Sequence, residues 1–436
     1  MLPIGHLLRN YALPSIVGSM VNSLYNVVDR IFIGQGVGGM AISGLALTFP
    51  ILIFLQAFGV LVGVGASSRI SILLGQKKNE EAEYLLGNAF LLSLIFSLST
   101  ISLTYIFMEP LLYAFGASEG TIPYAKAYLE IVIPGNIFAN LTFSYNSVMR
   151  STGYPLKAMI TMIIGAVLNI LFDSLFIYGL GWGIRGAAWA TVISMFVGML
   201  FVMQHFTDKR NLLLIKPKYF KFKLGYIGSI LSIGVAPFVM HLASSMVQVM
   251  KNTSLVKYGG DYAVGAYGIS NSIATLIFML IMGLSIGMQP IVGYNFGAGN
   301  MGRVREAFSK TVKINVTIGL IGLTLAQLFP EQIVRLFTAD TELIGIASIA
   351  VSIETFAFWA VGFQVSTVHF FQSIGSAWRS LILSVSRQIV LLIPALYILP
   401  QFMGLKGVWL STPVADILSF TVSLFMIIRF FQKHKE

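Results

Sequence analysis

Acidic and amide side chains occur inside stretches of this sequence that are otherwise apolar. Asp29 lies in the first such stretch and Asp173 in the fifth, with Asn169 four residues before Asp173. A charged side chain near the centre of a bilayer costs about 2.5–3.5 kcal/mol, so each one calls for an explanation. Carboxylate and amide oxygens suit Na⁺ or a proton, and residues four apart on a helix share one face. We therefore predict that Asp29 and Asp173 share one cation-binding pocket.

A polar stripe precedes Asp29 on the same predicted helix. Its members recur at alternating intervals of four and three residues, which lines them along one helix face. They are Ser15, Ser19, Asn22 and Asn26. This face is expected to look into the protein or water. The alternative for Asp29 is an ion pair with the neighbouring Arg30.

The second half carries a similar stripe, and two further acids. The stripe is His241, Ser245, Gln248 and Asn252, which we expect to line the same central cavity, although His241 could instead form interhelical hydrogen bonds. Glu354 and Asp416 could form a second acidic patch. The predicted substrate cavity comprises Asn22, Asn26, Asn136, Asn140, His241, Gln248, Asn252, Glu354 and Asp416.

Composition places these residues in a membrane. Hydrophobic residues make up 56% of the 436 residues and charged residues 10%, whereas about a quarter of the residues in soluble domains are charged. Helices are expected rather than a barrel, because the runs are continuously apolar instead of alternating. Twelve runs are long enough to cross a bilayer, at approximately 12–36, 41–70, 84–108, 127–149, 158–179, 186–206, 225–250, 263–296, 309–329, 346–372, 380–399 and 407–428.

The first half of the chain reappears in the second, shifted by about 222 residues. Gly75 corresponds to Gly297 and Gly153 to Gly375, while Pro14 corresponds to Pro237 with a small drift. Chance similarity of apolar helices does not explain matching loop glycines. Because each half has an even number of crossings, the repeats are parallel. The sequence predicts an all-α polytopic membrane protein with two six-helix lobes, 1–206 and 225–436, around a central cavity and joined by a basic cytoplasmic linker, 207–224.

The net charge of +11 could indicate a nucleic-acid partner, but the basic residues sort by loop. If both termini are cytoplasmic, 21 of the 28 Lys and Arg residues fall on the inner side, including Arg387. The others, Lys251 among them, fall outside or near the outer face. This bias fixes the orientation by the positive-inside rule. The absence of cysteine excludes disulfides and thiolate metal sites.

Several function classes can be weighed from what the chain lacks. No predicted loop exceeds roughly twenty residues and no Walker motif is present, so energy is expected from an ion gradient or the substrate's own gradient. A membrane-embedded enzyme would need a cluster of nucleophile and base or a metal set, and none is visible. A channel fits two unequal lobes less well than a transporter does. A flippase for a lipid-linked saccharide remains the nearest alternative to an exporter.

Three segments give the chain a specific resemblance: residues 22–34, residues 169–173 and residues 186–191. Together they resemble the multidrug and toxic compound extrusion (MATE) family of cation-coupled antiporters, in particular its branch named for DNA-damage-inducible relatives. The resemblance implies an N-lobe cation site formed by Asp29, Asn169, Asp173 and Thr191. It also implies that Pro14 accompanies bending of the first helix. The acid that another branch places in helix seven has no counterpart here.

The resemblance implies export of bulky, cationic or amphipathic small molecules in exchange for Na⁺ or H⁺, by rocking of two lobes. We expect no cofactor beyond the coupling ion, membrane lipids as further partners, and, because the basic residues sort by loop, no nucleic-acid partner. We expect a monomer in the cytoplasmic membrane of a prokaryote. The sequence leaves the choice between Na⁺ and H⁺ open, because the same carboxylates serve either ion.

Overall fold

The structure, a computed structural model, describes residues 2–434, apart from the side chains of Asn22, Asn26 and Asp261. Over this part of the chain the protein is helical and contains no strand. Twelve long helical segments follow one another within it, as the apolar runs predict. They are α1 (Ile4–Gly36), α2 (Gly39–Gly75), α3 (Asn79–Ala114), α4 (Ile122–Ser151), α5 (Pro155–Gly179), α6 (Gly183–Thr207), α7 (Leu224–Gly260), α8 (Tyr262–Gly297), α9 (Met301–Leu328), α10 (Thr341–Glu354 with Phe358–Ser373), α11 (Ala377–Met403) and α12 (Leu405–Lys433).

Most of these helices can cross a membrane on length and composition. Within the described residues nine pass as single spans, and α10 makes a tenth if its two pieces, which meet at 47°, form one span. The other two, α1 and α4, contain 33 and 30 residues, which exceeds the about 20 that a bilayer requires. Both helices contain several polar residues. On α1 these include the polar stripe that the sequence predicted.

Two helices depart from continuous α-helical geometry. The last turns of α5, Ser174–Gly179, and the middle of α11, Ser386–Leu392, are π-helical. A π-helical turn bonds residue i to residue i+5 and occurs frequently at functional sites. The sequence reading expected continuous helices here and in α10, where residues 355–357 interrupt the helix. The pattern of apolar residues does not indicate π-helical turns or an interruption of three residues.

The turns confirm the internal duplication. Backbone conformations with positive φ recur at the shift seen in the sequence, and apart from Lys77 (φ 61°) these residues are glycines. Most residues disfavour this region, because their Cβ meets the following carbonyl oxygen. The matching pairs are Gly38 with Gly260, Lys77 with Gly299, Gly153 with Gly375, and Gly183 with Gly404. The two halves therefore make the same turns between equivalent helices.

The chain divides into two compact units. The N-unit is Val17–Phe238, and the C-unit comprises the described residues up to Ile16 together with those from Val239 onward. The sequence-based lobe boundaries follow loops, whereas these units divide inside α1 and α7. Both divisions lie close after the prolines that the repeat aligns, Pro14 and Pro237. Pro14 itself lies within an uninterrupted α1.

The segment between α6 and α7 is fixed to the N-unit. Leu213 and Tyr219 are buried, and Lys216 forms an ion pair with Glu83 of α3, with 2.7 Å between Nζ and Oε1. The backbone N–H of Lys223 also donates to Asn88 Oδ1 over 3.0 Å. This basic segment is thus held by specific contacts with α3.

Small residues let the helices of the N-unit pack closely. Gly63 of α2 lies against Ser144 of α4, whose Cα is 2.9 Å from the position that a Cβ on Gly63 would take. One turn earlier, Gly59 meets Asn140 in the same way, and Ser144 donates a hydrogen bond to the carbonyl of Gly59 over 3.1 Å. Packing of small residues is the expected role of such pairs in membrane helices, and this contact holds α4 in place.

Candidate functional site

Asp29 and Asp173 lie face to face inside the N-unit. Asp173 is fully buried and Asp29 nearly so, and their carboxyl groups lie within hydrogen-bonding reach of each other. Neither oxygen of Asp173, nor Oδ1 of Asp29, finds a hydrogen-bond donor among the described residues. Two ionised carboxylates can only accept. A shared proton or a cation is therefore what can join them.

Local structure at the end of α5 fixes the position of Asp173. This residue is the last of the regular α-helical part, directly before the π-helical turns. Beyond it, the ring of Tyr178 packs edge-on against Phe32 of α1, with 5.8 Å between ring centroids. The π-helical end of α5 is thus attached to the end of α1 that carries Asp29.

Two further predicted residues complete the wall of this pocket. Asn169, one turn before Asp173, donates from Nδ2 to Oγ1 of Thr191 over 3.4 Å. Thr191 in turn donates to the carbonyl of Ala187 over 3.0 Å, which orients its oxygen. The carbonyl oxygen Oδ1 of Asn169 is buried and without a donor. The structure therefore brings Asp29, Asn169, Asp173 and Thr191 together.

Sequence reasoning missed one member of this group, Tyr128 of α4. Its side chain is buried, its hydroxyl lies within hydrogen-bonding reach of Thr191, and it is close enough to Asp29 and Asp173 to interact electrostatically with both. A signal was available in the sequence, because Tyr128 precedes the predicted cavity residue Asn136 by about two turns on the same face of α4. We call these five residues the acidic cradle: Asp29, Tyr128, Asn169, Asp173 and Thr191.

Arg30 does not neutralise the cradle by direct contact. Its guanidinium lies 4.4 Å from the ring centroid of Phe49, and the described residues include no ion pair between Arg30 and Asp29. In the same part of the chain no group of three His, Cys, Asp or Glu side chains lies together. Oxygen atoms of carboxylate, amide and hydroxyl groups are therefore the ligands that this pocket offers.

In the C-unit, Glu354 does not belong to an acidic patch as predicted. Lys251 of α7 forms an ion pair with it, with 2.6 Å between Nζ and Oε1, and Ser270 donates to its Oε2 over 2.8 Å. Lys251 also donates to Thr412 over 2.9 Å and lies 4.4 Å from the ring centroid of Tyr267. Glu354 lines a cavity of the C-unit, but its charge is paired there with Lys251, which the sequence analysis had assigned to the outer face.

Asp416 lines the same cavity and is likewise paired with a basic side chain. Arg387 lies within the π-helical part of α11, and its Nε donates to Oδ1 of Asp416 over 2.6 Å. The sequence reading counted Arg387 among the inner-side basic residues, but its position ten residues into α11 puts it about 15 Å along that helix. Glu354 and Asp416 are thus each paired with a basic side chain.

The remaining predicted cavity residues divide into three groups. Gln248 accepts a hydrogen bond from the hydroxyl of Tyr267 over 3.1 Å and lines a cavity of the C-unit, whereas His241 and Asn252 do not line that cavity. Asn140 donates to Ser97 over 3.1 Å and so joins α4 to α3, while Asn136 is buried with an unbonded Nδ2. The side chains of Asn22 and Asn26 lie outside the described part of the structure.

A protein-family model matches each half of the chain, and known relatives match nearly all of it. The MatE family model matches twice, over residues 14–175 and 237–398, and the matches begin at Pro14 and Pro237. The chain is 29% identical to the multidrug export protein MepA of Staphylococcus haemolyticus over 96% of its own length and 92% of the relative's. It is 26% identical to MepA of Staphylococcus aureus, covering 98% and 94%.

Solved structures resemble the whole chain. A MATE protein crystallised in a bent conformation superimposes with a TM-score of 0.93 at 26% identity, over 99% of this chain and 97% of that one. An outward-facing multidrug resistance MATE transporter gives 0.91 at 27% identity, over 98% and 96%. A transporter of the MOP superfamily from Pyrococcus furiosus, described as having a binding pocket of reversed polarity, gives 0.93 at 26% identity, over 100% and 98%.

Proposed function

Because the chain belongs to the multidrug and toxic compound extrusion (MATE) family, we propose that it exports bulky, cationic or amphipathic compounds in exchange for Na⁺ or H⁺. The observation that carries this proposal is the pair Asp29 and Asp173, which face each other with three buried oxygens that lack donors among the described residues. A bound cation or proton would stabilise such a pair, because it removes the repulsion between the two carboxylates. The export activity named for the MepA relatives is consistent with it.

In this proposal the acidic cradle is the coupling site. When it is empty, the two carboxylates repel each other and favour any conformation that separates them or admits a positive charge. An inward-moving cation neutralises them, with the carbonyl of Asn169 and the hydroxyls of Tyr128 and Thr191 as additional oxygen ligands. Cation and cationic substrate then stabilise different conformations, and this differential binding is what drives exchange.

In this scheme the two lobes give alternating access to the substrate. Since α1 and α7 are divided between the compact units, these two helices would bend during that movement. Pro14 and Pro237 lie close to those divisions. A proline lacks the N–H that would bond the carbonyl four residues earlier, so it weakens the helix at that point. Bending of α1 at Pro14 is part of the proposal.

The charge of the cradle disfavours the flippase alternative. A lipid-linked saccharide carries an anionic pyrophosphate, which two buried carboxylates would repel. The same electrostatic argument favours cationic substrates. We further propose that the protein acts as a monomer in the cytoplasmic membrane of a prokaryote with both termini inside, and performs no covalent chemistry.

Ethidium efflux tests this function. Cells that lack other pumps would express the wild type, Asp173→Asn, or the matched control Asp208→Asn, which alters an exposed residue. The Na⁺ and proton gradients would be varied separately. Efflux in the wild type and the control, dependent on one gradient and lost in Asp173→Asn at equal expression, supports the proposal and identifies the ion. Undiminished efflux by Asp173→Asn would refute the coupling role, and no efflux by wild-type protein present in the membrane would refute ethidium export.

A further inference from the structure

The C-unit contains a partly open cavity that the proposed exchange mechanism does not use. Its volume is about 240 Å³. Side chains from α7, α8, α10, α11 and α12 line it. One part of the wall is apolar and includes Phe278, Phe358 and Leu392, and another part is polar and includes Gln248 and Asn271. A wall of this mixed kind is typical of small-molecule sites.

The acids of this cavity are not available to a ligand. Oε1 of Glu354 and Oδ2 of Asp416 are buried so completely that neither is accessible. The other oxygen of Glu354 accepts from Ser270, and the other oxygen of Asp416 accepts from Arg387. An organic cation that entered the cavity would therefore find no accessible carboxylate oxygen.

Lys251, one of the two basic residues of the cavity, is also unavailable to a ligand. The ammonium of Lys251 is engaged by Glu354 and Thr412 and by the ring of Tyr267. Its side chain is 6% exposed. Lys251 thus serves as the internal counter-ion of Glu354 and offers little to a ligand.

Arg387 is different. Only its Nε is engaged, with Asp416, and its two terminal nitrogens make no hydrogen bond within the described residues. The side chain keeps 16% of its surface accessible and lines the cavity. A guanidinium presents its terminal N–H groups as a planar fork that matches the two oxygens of a carboxylate. The accessible charge of this cavity is therefore positive and has a defined geometry.

We propose that this cavity is a second ligand site, one that takes a small aromatic carboxylate. The carboxylate accepts a bidentate pair of hydrogen bonds from the terminal nitrogens of Arg387, while Asp416 holds Nε and orients the fork. The ring occupies the apolar part of the cavity with Phe278 and Phe358. The proposal goes beyond drug export and does not depend on it, because the residues involved belong to the C-unit and not to the acidic cradle.

Three probes of one shape test the proposal on the purified full-length protein. Benzoate carries the carboxylate, benzamide replaces it with a neutral group, and benzylammonium carries the opposite charge. Ligand-observed NMR titration gives the dissociation constant of each without any transport step. We expect benzoate to bind, benzamide to bind at least about tenfold more weakly, and benzylammonium not to compete. Equal binding of benzoate and benzamide, or displacement of bound benzoate by benzylammonium, would overturn the proposal without bearing on export.

Variants locate the site. Arg387→Lys keeps the charge but removes the fork, so benzoate should bind about tenfold more weakly or worse. The control Arg335→Lys alters an exposed arginine of the same unit and should bind like the wild type. Asp416→Asn leaves the guanidinium in place and should bind benzoate at least as well as the wild type. If Arg387→Lys folds and binds benzoate as the wild type does, the proposed site is wrong. If that variant does not fold, the comparison of the three probes on the wild type tests the proposal alone.

Discussion

Lys251 and Glu354 form a buried ion pair between α7 and α10, with 2.6 Å between Nζ and Oε1 and side-chain exposures of 6% and 5%. Both side chains are therefore almost completely shielded from bulk solvent. Burial of two charges is costly, and their attraction repays the cost only when further hydrogen bonds complete the geometry. Ser270 and Thr412 provide those bonds. The pair therefore ties α7, α8, α10 and α12 of the C-unit together.

Substitution Lys251→Met should destabilise the C-unit strongly. Removal of one partner leaves Glu354 charged and unpaired in a buried site, which typically costs about 3–5 kcal/mol. Thermal unfolding of the detergent-solubilised protein measures this effect as a lower Tm. Lys257→Met, at an exposed position of the same helix, serves as the control and should change Tm little. The double variant Lys251→Met/Glu354→Gln should recover part of the loss, and a failure to recover any would argue against the ion pair as its cause.

Substitution Tyr128→Phe should weaken cation binding without destroying it. The hydroxyl lies within hydrogen-bonding reach of Thr191 and close to both acids, and loss of one such hydrogen bond is worth about 0.5–1.5 kcal/mol. The cation concentration that half-saturates efflux should rise by a factor of about 2–10. Tyr113→Phe, at an exposed tyrosine, should leave it unchanged. An unaltered half-saturation in Tyr128→Phe would remove this residue from the cradle.

The sequence predicted the fold well because its signals are local and repeated. Apolar runs indicate helices directly, and loop glycines such as Gly153 and Gly375 mark turns that only a few residues tolerate. The closeness of Asp29 and Asp173 also followed from the sequence, since both were placed at a similar depth in outward-running helices.

The sequence did not predict the charge partners of the C-unit. Lys251 and Glu354 are far apart in the chain, so their pairing depends on how α7 packs against α10. Arg387 was assigned to an aqueous face because long basic side chains usually reach water from helix ends, but its position in the π-helical part of α11 directs it to Asp416. Tyr128 was missed because an aromatic residue in an apolar helix is usually a packing residue, and only its spacing from Asn136 on the same face of α4 pointed to the site.

Substitution Gly63→Ala should destabilise the N-unit. A Cβ at this position would come within 2.9 Å of Ser144 Cα, and because that atom is backbone, a helix must shift; such overpacking typically costs about 1–3 kcal/mol. Gly165→Ala is the matched control, since a Cβ there would meet nothing within 4 Å and alanine favours a helix more than glycine does. Thermal unfolding should show a lower Tm for the first variant and an equal or higher Tm for the second. The reverse order would contradict the close packing of α2 against α4.

Thermal unfolding also tests whether Asp29 and Asp173 act as one site. In a buffer without the coupling ion, the two carboxylates repel each other, so Asp173→Asn should have a Tm at least equal to that of the wild type. A ligand that binds only the folded state adds about 2.7 kcal/mol of stability at a concentration 100 times its dissociation constant. Added Na⁺ should therefore raise the Tm of the wild type, or acidification should do so if the ion is a proton. Asp29→Asn, Asp173→Asn and the double variant should all lose this increase to the same degree, because one cation requires both carboxylates and the effects of residues that act together are not additive. A cation-dependent increase that survives in either single variant would mean that the two acids bind separately.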